Sequence, residues 1–425
     1  MPRTTFKFRL YPTRAQETLL EDVLSACREV YNSCLHWRKH DFELTGKSPS
    51  YRDQQDALPI WKKSHPELCN VQSQVLQNVC KRVDLAYEAY FDRLKDYQIR
   101  KEQGRLKVVN GQVEKCPGPP RPKGKGSYDS LTYTQASAFT VDPHEKCITF
   151  SKLATIKTIL HRPILGVMKT ATIRRQSGKW FVTISCEVEG FPLPTSEKTV
   201  GIDVGLETFA TFSDDTPTIK NPRFFRTDQK ALAKAQRKFD KVKHKHRSKA
   251  RRKAKKAVTR IHERIRNRRH DFHHQEARKI VDRYGLITVE DLNIKNMSQS
   301  PTPKLDAETG IYLPNGHAAK AGLNKSILDA GWYSFRMILK SKAESAGREF
   351  LEINAAYTSQ DCSHCGYRPP KEERKKLSDR WHTCPKCGFS AHRDKNSAIL
   401  QDKIGVGLHT ARHRPIEAPA FMHGE

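Results

Sequence analysis

Four cysteines stand at a spacing that metal chemistry can use. Cys362-x2-Cys365 is followed after eighteen residues by Cys384-x2-Cys387. Each Cys-x-x-Cys puts two thiolates on one tight turn. Gly366 and Gly388 come directly after the pairs, where a turn wants relaxed backbone geometry. Four thiolates fill a tetrahedron and leave no open position, so the spacing predicts one structural zinc ion. His364 and His382 lie close enough in sequence to substitute for a thiolate, and an iron–sulfur cluster is the alternative for four sulfurs. Nothing else in the chain suggests redox chemistry.

Three acids could do the other chemistry. Asp203 ends the apolar stretch TVGI, Glu290 ends LITV, and Asp394 stands seven residues after Cys387. Taken singly, each has an ordinary explanation: a turn residue, a surface acid beside Asp291, and a helix cap. Taken together they suggest more. Two strands that end in acids and are linked by helices can lie parallel and present both carboxylates at one sheet edge, where open sheets bind ligands. A third acid at a helix start completes the cluster. Such a cluster repels itself unless cations neutralise it. Magnesium takes carboxylate and phosphate oxygens, and two such ions clamp the attacking and leaving oxygens of a phosphodiester.

The elements that must position these groups read as follows. Phe6, Phe8 and Leu10 alternate on a first strand. Thr13 and Gln16 form a capping box that opens a helix. Val75, Val79, Val83, Ala86 and Tyr90 stripe a second long helix that begins near Val71. PGPPRPKGKG, residues 117–126, is a basic loop, and Val182, Ile184, Cys186 and Val188 share one face of a later strand. The first half is thus a small barrel or sheet interrupted by helices. In the second half, strands are expected at TVGI, FATF, LITV and EFLEIN. Residues 228–284 are helical, with the basic run KHKHRSKARRKAKK as the bend of a helical hairpin or a charged exposed stretch. Residues 298–325 form a Pro/Gly-rich loop, 326–346 a single helix, and the residues after about 405 a loose tail.

Charge names the partner class. Lys and Arg number 77 against 47 Asp and Glu, a net charge of +30. That sign and size point to a polyanion, nucleic acid first. From Lys241 to Arg269 the one acid is Glu263. The run holding Lys249, Arg251, Arg252, Lys253, Lys255 and Lys256 reads as a rail for phosphates. The start, MPRTTFKFRLYPT, has no apolar run of a signal peptide, and no stretch approaches the roughly 20 apolar residues of a membrane span. A reducing compartment such as the cytoplasm is expected, with thiols free or metal-bound.

GIDVGLETFA, VEDLNIKNM and HRDKNSA resemble, in order, the three RuvC motifs of the transposon-encoded TnpB (OrfB) family, itself related to type V CRISPR effectors. The knuckles of YTSQDCSHCGY and CPKCGFSAHRDKNSA resemble the zinc finger that the family inserts before its third motif. DAGWYSFRMILKSKAESAG, RIHERIRNRRHDF, FKFRLYPTRAQ and LQNVCKRVDLAYEAYFDRL extend the likeness over nearly the whole chain. His392 stands where many relatives have Asp.

The resemblance implies an RNA-guided DNA endonuclease, with a guide RNA from the element's own end, that cuts double-stranded DNA beside a short flanking motif. It implies an α/β fold with all-β and helical parts. An RNase H-like (RuvC) nuclease core would span 196–360 and 389–405, with a zinc finger at 361–388. A wedge β-barrel would span 1–11 and 118–192, a helical recognition domain 12–117, and a flexible tail 406–425. Asp203, Glu290 and Asp394 take the nuclease positions and the magnesium, Cys362, Cys365, Cys384 and Cys387 the zinc. Gln77, Tyr133 and Thr134 fall where relatives approach the flanking motif, and a monomer on its RNA is expected. A compact type V CRISPR effector and a non-cleaving RNA-guided repressor are the alternatives.

Overall fold

The computed structural model describes residues 3–408, apart from residues 107, 110, 111, 191, 247, 303, 304, 307, 311 and 377. The tail expected over 406–425 therefore lies, from residue 409 onward, outside the described residues. The chain divides into two compact units, one ending at Glu189 and the other starting at Gly190. Among the described residues no helix is long and apolar enough to cross a membrane.

The N-terminal unit opens with strand β1 (Arg3–Tyr11), whose alternation buries Phe6, Phe8 and Leu10. Helix α1 (Arg14–Thr45) follows. Thr13 caps it and exchanges hydrogen bonds with Gln16, as the capping box requires. Short helices α2 (Tyr51–Asp56) and α3 (Leu58–Ser64) lead to α4 (Ser73–Glu102). Val75, Val79 and Val83 of α4 are buried, and its apolar stripe fades beyond Val83. A small hairpin, β2 (Val108–Val109) and β3 (Gln112–Val113), precedes β4 (Ser130–Tyr133), β5 (Phe139–Asp142), β6 (Cys147–Phe150), β7 (Ala154–Ile159), β8 (Val167–Gln176) and β9 (Lys179–Glu187). With β1 these last six make one antiparallel sheet in the order β4-β8-β9-β1-β7-β6-β5. The sheet curls: the Tyr133 hydroxyl on edge strand β4 donates to the Ser151 carbonyl, and the Tyr133 ring lies 5.3 Å from Phe150 on β6.

The C-terminal unit is built on a five-stranded sheet. Its strands are β10 (Thr199–Val204), β11 (Thr208–Phe212), β12 (Ile219–Lys220), β13 (Leu286–Glu290) and β14 (Glu349–Ile353), in the order β12-β11-β10-β13-β14. β11 runs antiparallel to β10, whereas β13 and β14 run parallel to it. The parallel pairs need long crossovers. Helices α5 (Phe224–Asp240) and α6 (Lys249–Arg283) supply one. Helices α7 (Ile294–Met297), α8 (His317–Ala330) and α9 (Trp332–Ser345) supply the other. The single helix expected over 326–346 is two helices, because Gly331 takes a φ of 67° and breaks the ladder between α8 and α9. The loop expected up to residue 325 already becomes helical at His317. Beyond β14 come a hairpin of β15 (Trp381–Thr383) and β16 (Ser390–His392), and then α10 (Arg393–Gly405).

Candidate active site and zinc centre

Strand alternation decides which residues meet at the sheet edge. β10 and β13 are in parallel register, with Gly201 beside Thr288 and Ile202 beside Val289. One step further, Asp203 and Glu290 are neighbours. Val200, Ile202, Ile287 and Val289 share one core with Ala277 and Ile280 of α6 and Phe335 and Leu339 of α9. Successive side chains point to opposite faces, so Gly201, Asp203, Thr288 and Glu290 face the other side. That side is covered by α10. A Cβ on Gly201 would run into the Ala398 carbonyl oxygen and lie 2.5 Å from the Asp402 nitrogen. A Cβ on Gly405 would run into the Thr288 hydroxyl. Two glycines thus let α10 lie directly on the two acid-bearing strands.

Gly201→Val overfills this contact. It is expected to lower the urea midpoint by an amount equivalent to at least roughly 1–3 kcal/mol. A wild-type midpoint would mean that α10 is not seated on β10.

The seated helix brings polar groups to the carboxylates. Ser397 Oγ donates to Glu290 Oε1 at 3.4 Å, and Gln401 Nε2 lies 3.2 Å from the same oxygen and 3.5 Å from Asp203 Oδ1. Asp394 is the second residue of α10. The cap position belongs to His392, whose Nδ1 accepts from the Asp394 backbone N–H at 3.4 Å. Asp394 is therefore not the N-cap; it lies in the first turn, where the helix end supplies positive potential. Arg393 Nε is 3.7 Å from its carboxylate.

Among the described residues, Asp203 and Glu290 have no ion-pair partner. The contrast with Asp291 is sharp, since that acid is paired with Arg336. Burial, then the Glu290 and Asp394 carboxylates, push the Asp203 carboxyl well above its ordinary range. Burial also raises Glu290, against hydrogen bonds from Thr358, Ser397 and Gln401 that favour its charge. Three carboxylates are drawn together with Arg393 the one cation against them among the described residues, and this hard oxygen donor set suits a divalent ion of the magnesium type.

The four thiols form a tighter group. The Sγ atoms of Cys362 and Cys387 are 3.7 Å apart and those of Cys365 and Cys384 are 3.6 Å apart. A tetrahedron with zinc–sulfur bonds of about 2.3 Å has edges of about 3.8 Å, so the thiols fit zinc. Among the described residues they are the one group of three or more potential ligands whose donor atoms all lie within 4.8 Å of one another. Both knuckles have the same backbone: Gly366 N–H donates to the Cys362 carbonyl and Gly388 N–H to the Cys384 carbonyl, each glycine at φ 72°. Burial pushes the Cys362 thiol up to about 12, so a metal must displace that proton. His382 is buried against Lys375 and does not join the sulfur group.

Sequence reading missed the joint between these two centres. Asn396, two residues after Asp394, is fully buried at 0% exposure. Its Nδ2 donates to the Asp361 carbonyl at 2.8 Å, and its Oδ1 accepts from the Ser363 N–H at 3.0 Å. Both bonds flank Cys362. Lys403 adds a third, from Nζ to the Ser363 carbonyl at 2.8 Å. The helix carrying Asp394 is thereby stapled to the first knuckle. The only signal in the sequence was an Asn at helical spacing from buried Leu400.

Residues 183–301 match the OrfB family of IS605, described as "Probable transposase", and residues 332–400 match a "Cas12f1-like, TNB domain". Residues 1–47 match a "Helix-turn-helix domain"; the structure has there one strand and one 32-residue helix. A protein of Escherichia coli (strain K12), named "Putative RNA-guided DNA endonuclease InsQ", is 32% identical over 92% of this chain and 90% of its own length. The chain belongs to the TnpB (OrfB) family. A similarly named relative from Streptomyces pristinaespiralis is 31% identical over 96% of the chain and 90% of its own length. The "CRISPR-associated endodeoxyribonuclease Cas12f1" of Sulfoacidibacillus thermotolerans is 26% identical over 33% of this TnpB-family chain and 28% of its own length.

The remaining residues singled out in this TnpB-family chain lie on other elements. On α6, Lys249, Arg252, Lys253, Lys255 and Lys256 are exposed and Arg251 is half-buried. They occupy the first turns of α6 after the N-cap Ser248, directly past the turn residues that join α5 to α6. Asp228 of α5 fixes the helix pair by holding Arg264 at 2.5 Å and Arg268 at 3.6 Å. In the N-terminal unit, Gln77 is partly exposed and Thr134 exposed. The expectation for Tyr133 is corrected. Its side chain is 2% exposed, packed in the sheet core with its hydroxyl engaged, and offers no surface to DNA.

Proposed function

We propose that this protein is an RNA-guided, metal-dependent DNA endonuclease of the transposon-encoded kind. One observation carries the reading: Asp203, Glu290 and Asp394 converge at one end of a parallel strand pair, with no ion pair to the first two among the described residues, in a chain of net charge +30. The sheet order, three antiparallel strands followed by two parallel ones, supports an RNase H-like core. The names of the two relatives matched over nine-tenths of their own length support guided DNA cleavage. The Cas12f1 likeness covers only a third of the chain, which favours the transposon form over a CRISPR effector.

Magnesium bound at the acids would activate a water and stabilise the charge that develops on the phosphodiester oxygens. The protein's own work is positional. Asp203 and Glu290, on adjacent strands, and Asp394, on the helix seated across them, would hold the cations. Zinc on the four thiols would be structural and would fix the start of α10. The α6 cations would track phosphates. Base pairing would read the target, while protein contacts near Gln77 and Thr134 would read the flanking motif. The domain limits given above complete the proposal, with the chain acting as a monomer on its RNA.

The test is to express the protein with its native flanking DNA, sequence the RNA that copurifies, and assay cleavage of a matching target. One discrete RNA and double-strand cuts that need magnesium are expected. Repeat-derived RNA would make it a CRISPR effector. Random RNA with no guided cutting would overturn the reading, as would strand-joined products, which belong to a transposase.

A further inference from the structure

Gln401 is a fully buried polar residue, 0% exposed, on the face of α10 that meets the acids. Its amide nitrogen sits 3.2 Å from Glu290 Oε1, 3.5 Å from Asp203 Oδ1 and 3.3 Å from Ser397 Oγ. Its Oε1 is buried with no hydrogen-bond partner among the described residues. The amide orientation follows from charge, because a carbonyl oxygen turned toward two carboxylates would repel both. An orphaned oxygen is a cost that leucine or methionine would avoid at this packed position.

What those residues would not do explains the choice. An apolar side chain leaves Asp203 and Glu290 without a donor between them. Lysine or arginine would neutralise them permanently and compete with any bound cation. Glutamate would add a further charge. A neutral amide N–H2 joins both carboxylates and leaves their charge intact.

We propose that Gln401, aided by Ser397, is a positioning residue that sets the spacing of Asp203 and Glu290 before a divalent cation binds. This rests on the reading of the acids as a metal site. Each carboxylate gives one oxygen to the α10 amide and keeps the other for the metal. Outer donors of this kind typically govern metal affinity by about 10–100-fold.

Gln401→Met keeps the volume and removes the donor. Manganese binding to the full chain, titrated by electron paramagnetic resonance without nucleic acid, is expected to weaken by about 10-fold or more. Half-saturating magnesium for guided cleavage should rise in step, with the rate at saturating magnesium largely restored. A merely structural role would not produce that split. Gln401→Lys, which fills the gap with a fixed cation, should fold and bind no manganese at the acids; it keeps the idea testable if Gln401→Met does not fold. Wild-type manganese affinity in either variant overturns the inference. Asp203→Asn separates the two levels: if it binds manganese as well as wild type does, the metal-site reading itself fails.

Discussion

Replacing Asp203 by Asn abolishes guided cleavage, by at least about 10²-fold, and raises the thermal midpoint of the metal-free protein. The two effects share one cause. Burial and the Glu290 and Asp394 carboxylates raise the Asp203 pKa well above its ordinary value. A carboxyl raised in the folded state opposes folding at every pH above its unfolded pKa, because the fold must then hold a charge it disfavours. Asn cannot ionise, so that opposition disappears. The gain is largest near neutral pH in a chelator. It begins to shrink as the pH falls below the folded pKa, where wild-type Asp203 protonates, and is gone at the ordinary carboxylate pKa of the unfolded chain. Added magnesium reverses the order, stabilising the wild type by binding its folded state and leaving Asp203→Asn unmoved. Calorimetry in chelator and in magnesium, across pH, checks all three statements. A lower midpoint for Asp203→Asn in chelator near neutral pH would mean that the acids do not repel one another.

Cys384→Ser is expected to take zinc from one ion per chain to none and to eliminate cleavage although no carboxylate is touched. A structural zinc contributes about 10–16 kcal/mol in isolated fingers, comparable to the whole stability of an ordinary domain. The knuckle cannot hold its turns without it. The loss then travels through named bonds. Asn396 grips the backbone on both sides of Cys362, so loosening that knuckle loosens the first turn of α10, where Asp394 sits. Hydrogen exchange should lose protection over residues 393–397, while the N-terminal unit keeps its pattern. Full zinc content, or full cleavage without zinc, would break this chain of cause.

The parts that were legible in the sequence are those in which local spacing fixes geometry. Cysteine pairs two residues apart can make only one kind of turn, and the thiols converge as that spacing implies. Phe6, Phe8 and Leu10 alternate, and so do Val182, Ile184 and Cys186; all six are buried. Acids that end two apolar strands lie at one edge because the strands pair in parallel. The parts that were not legible depend on partners far away along the chain. Gly331 reads as a tolerable glycine inside a helical pattern, and only its φ reveals the break. Asn396, Ser397 and Gln401 have the hydropathy of a solvent face, yet all three are buried, because their partners lie in the knuckle and in strands that precede them by more than a hundred residues. Tyr133 has the composition of a stacking residue and the environment of a core one. Hydropathy alone does not separate those two uses of an aromatic ring.

The seating of α10 across β10 and β13 also sets an order in time. Asp203 and Glu290 leave the ribosome early, whereas Asp394 follows Asp203 by roughly 190 residues, on the order of 10–40 s at ordinary synthesis rates. In the later part of that interval, once Glu290 has been made and for on the order of 5–20 s at those rates, the nascent chain carries the basic helix α6 and two of its three acids, but neither the third acid nor the complete knuckle. A growing chain can therefore gather nucleic acid before it holds the full set of groups with which to cut it.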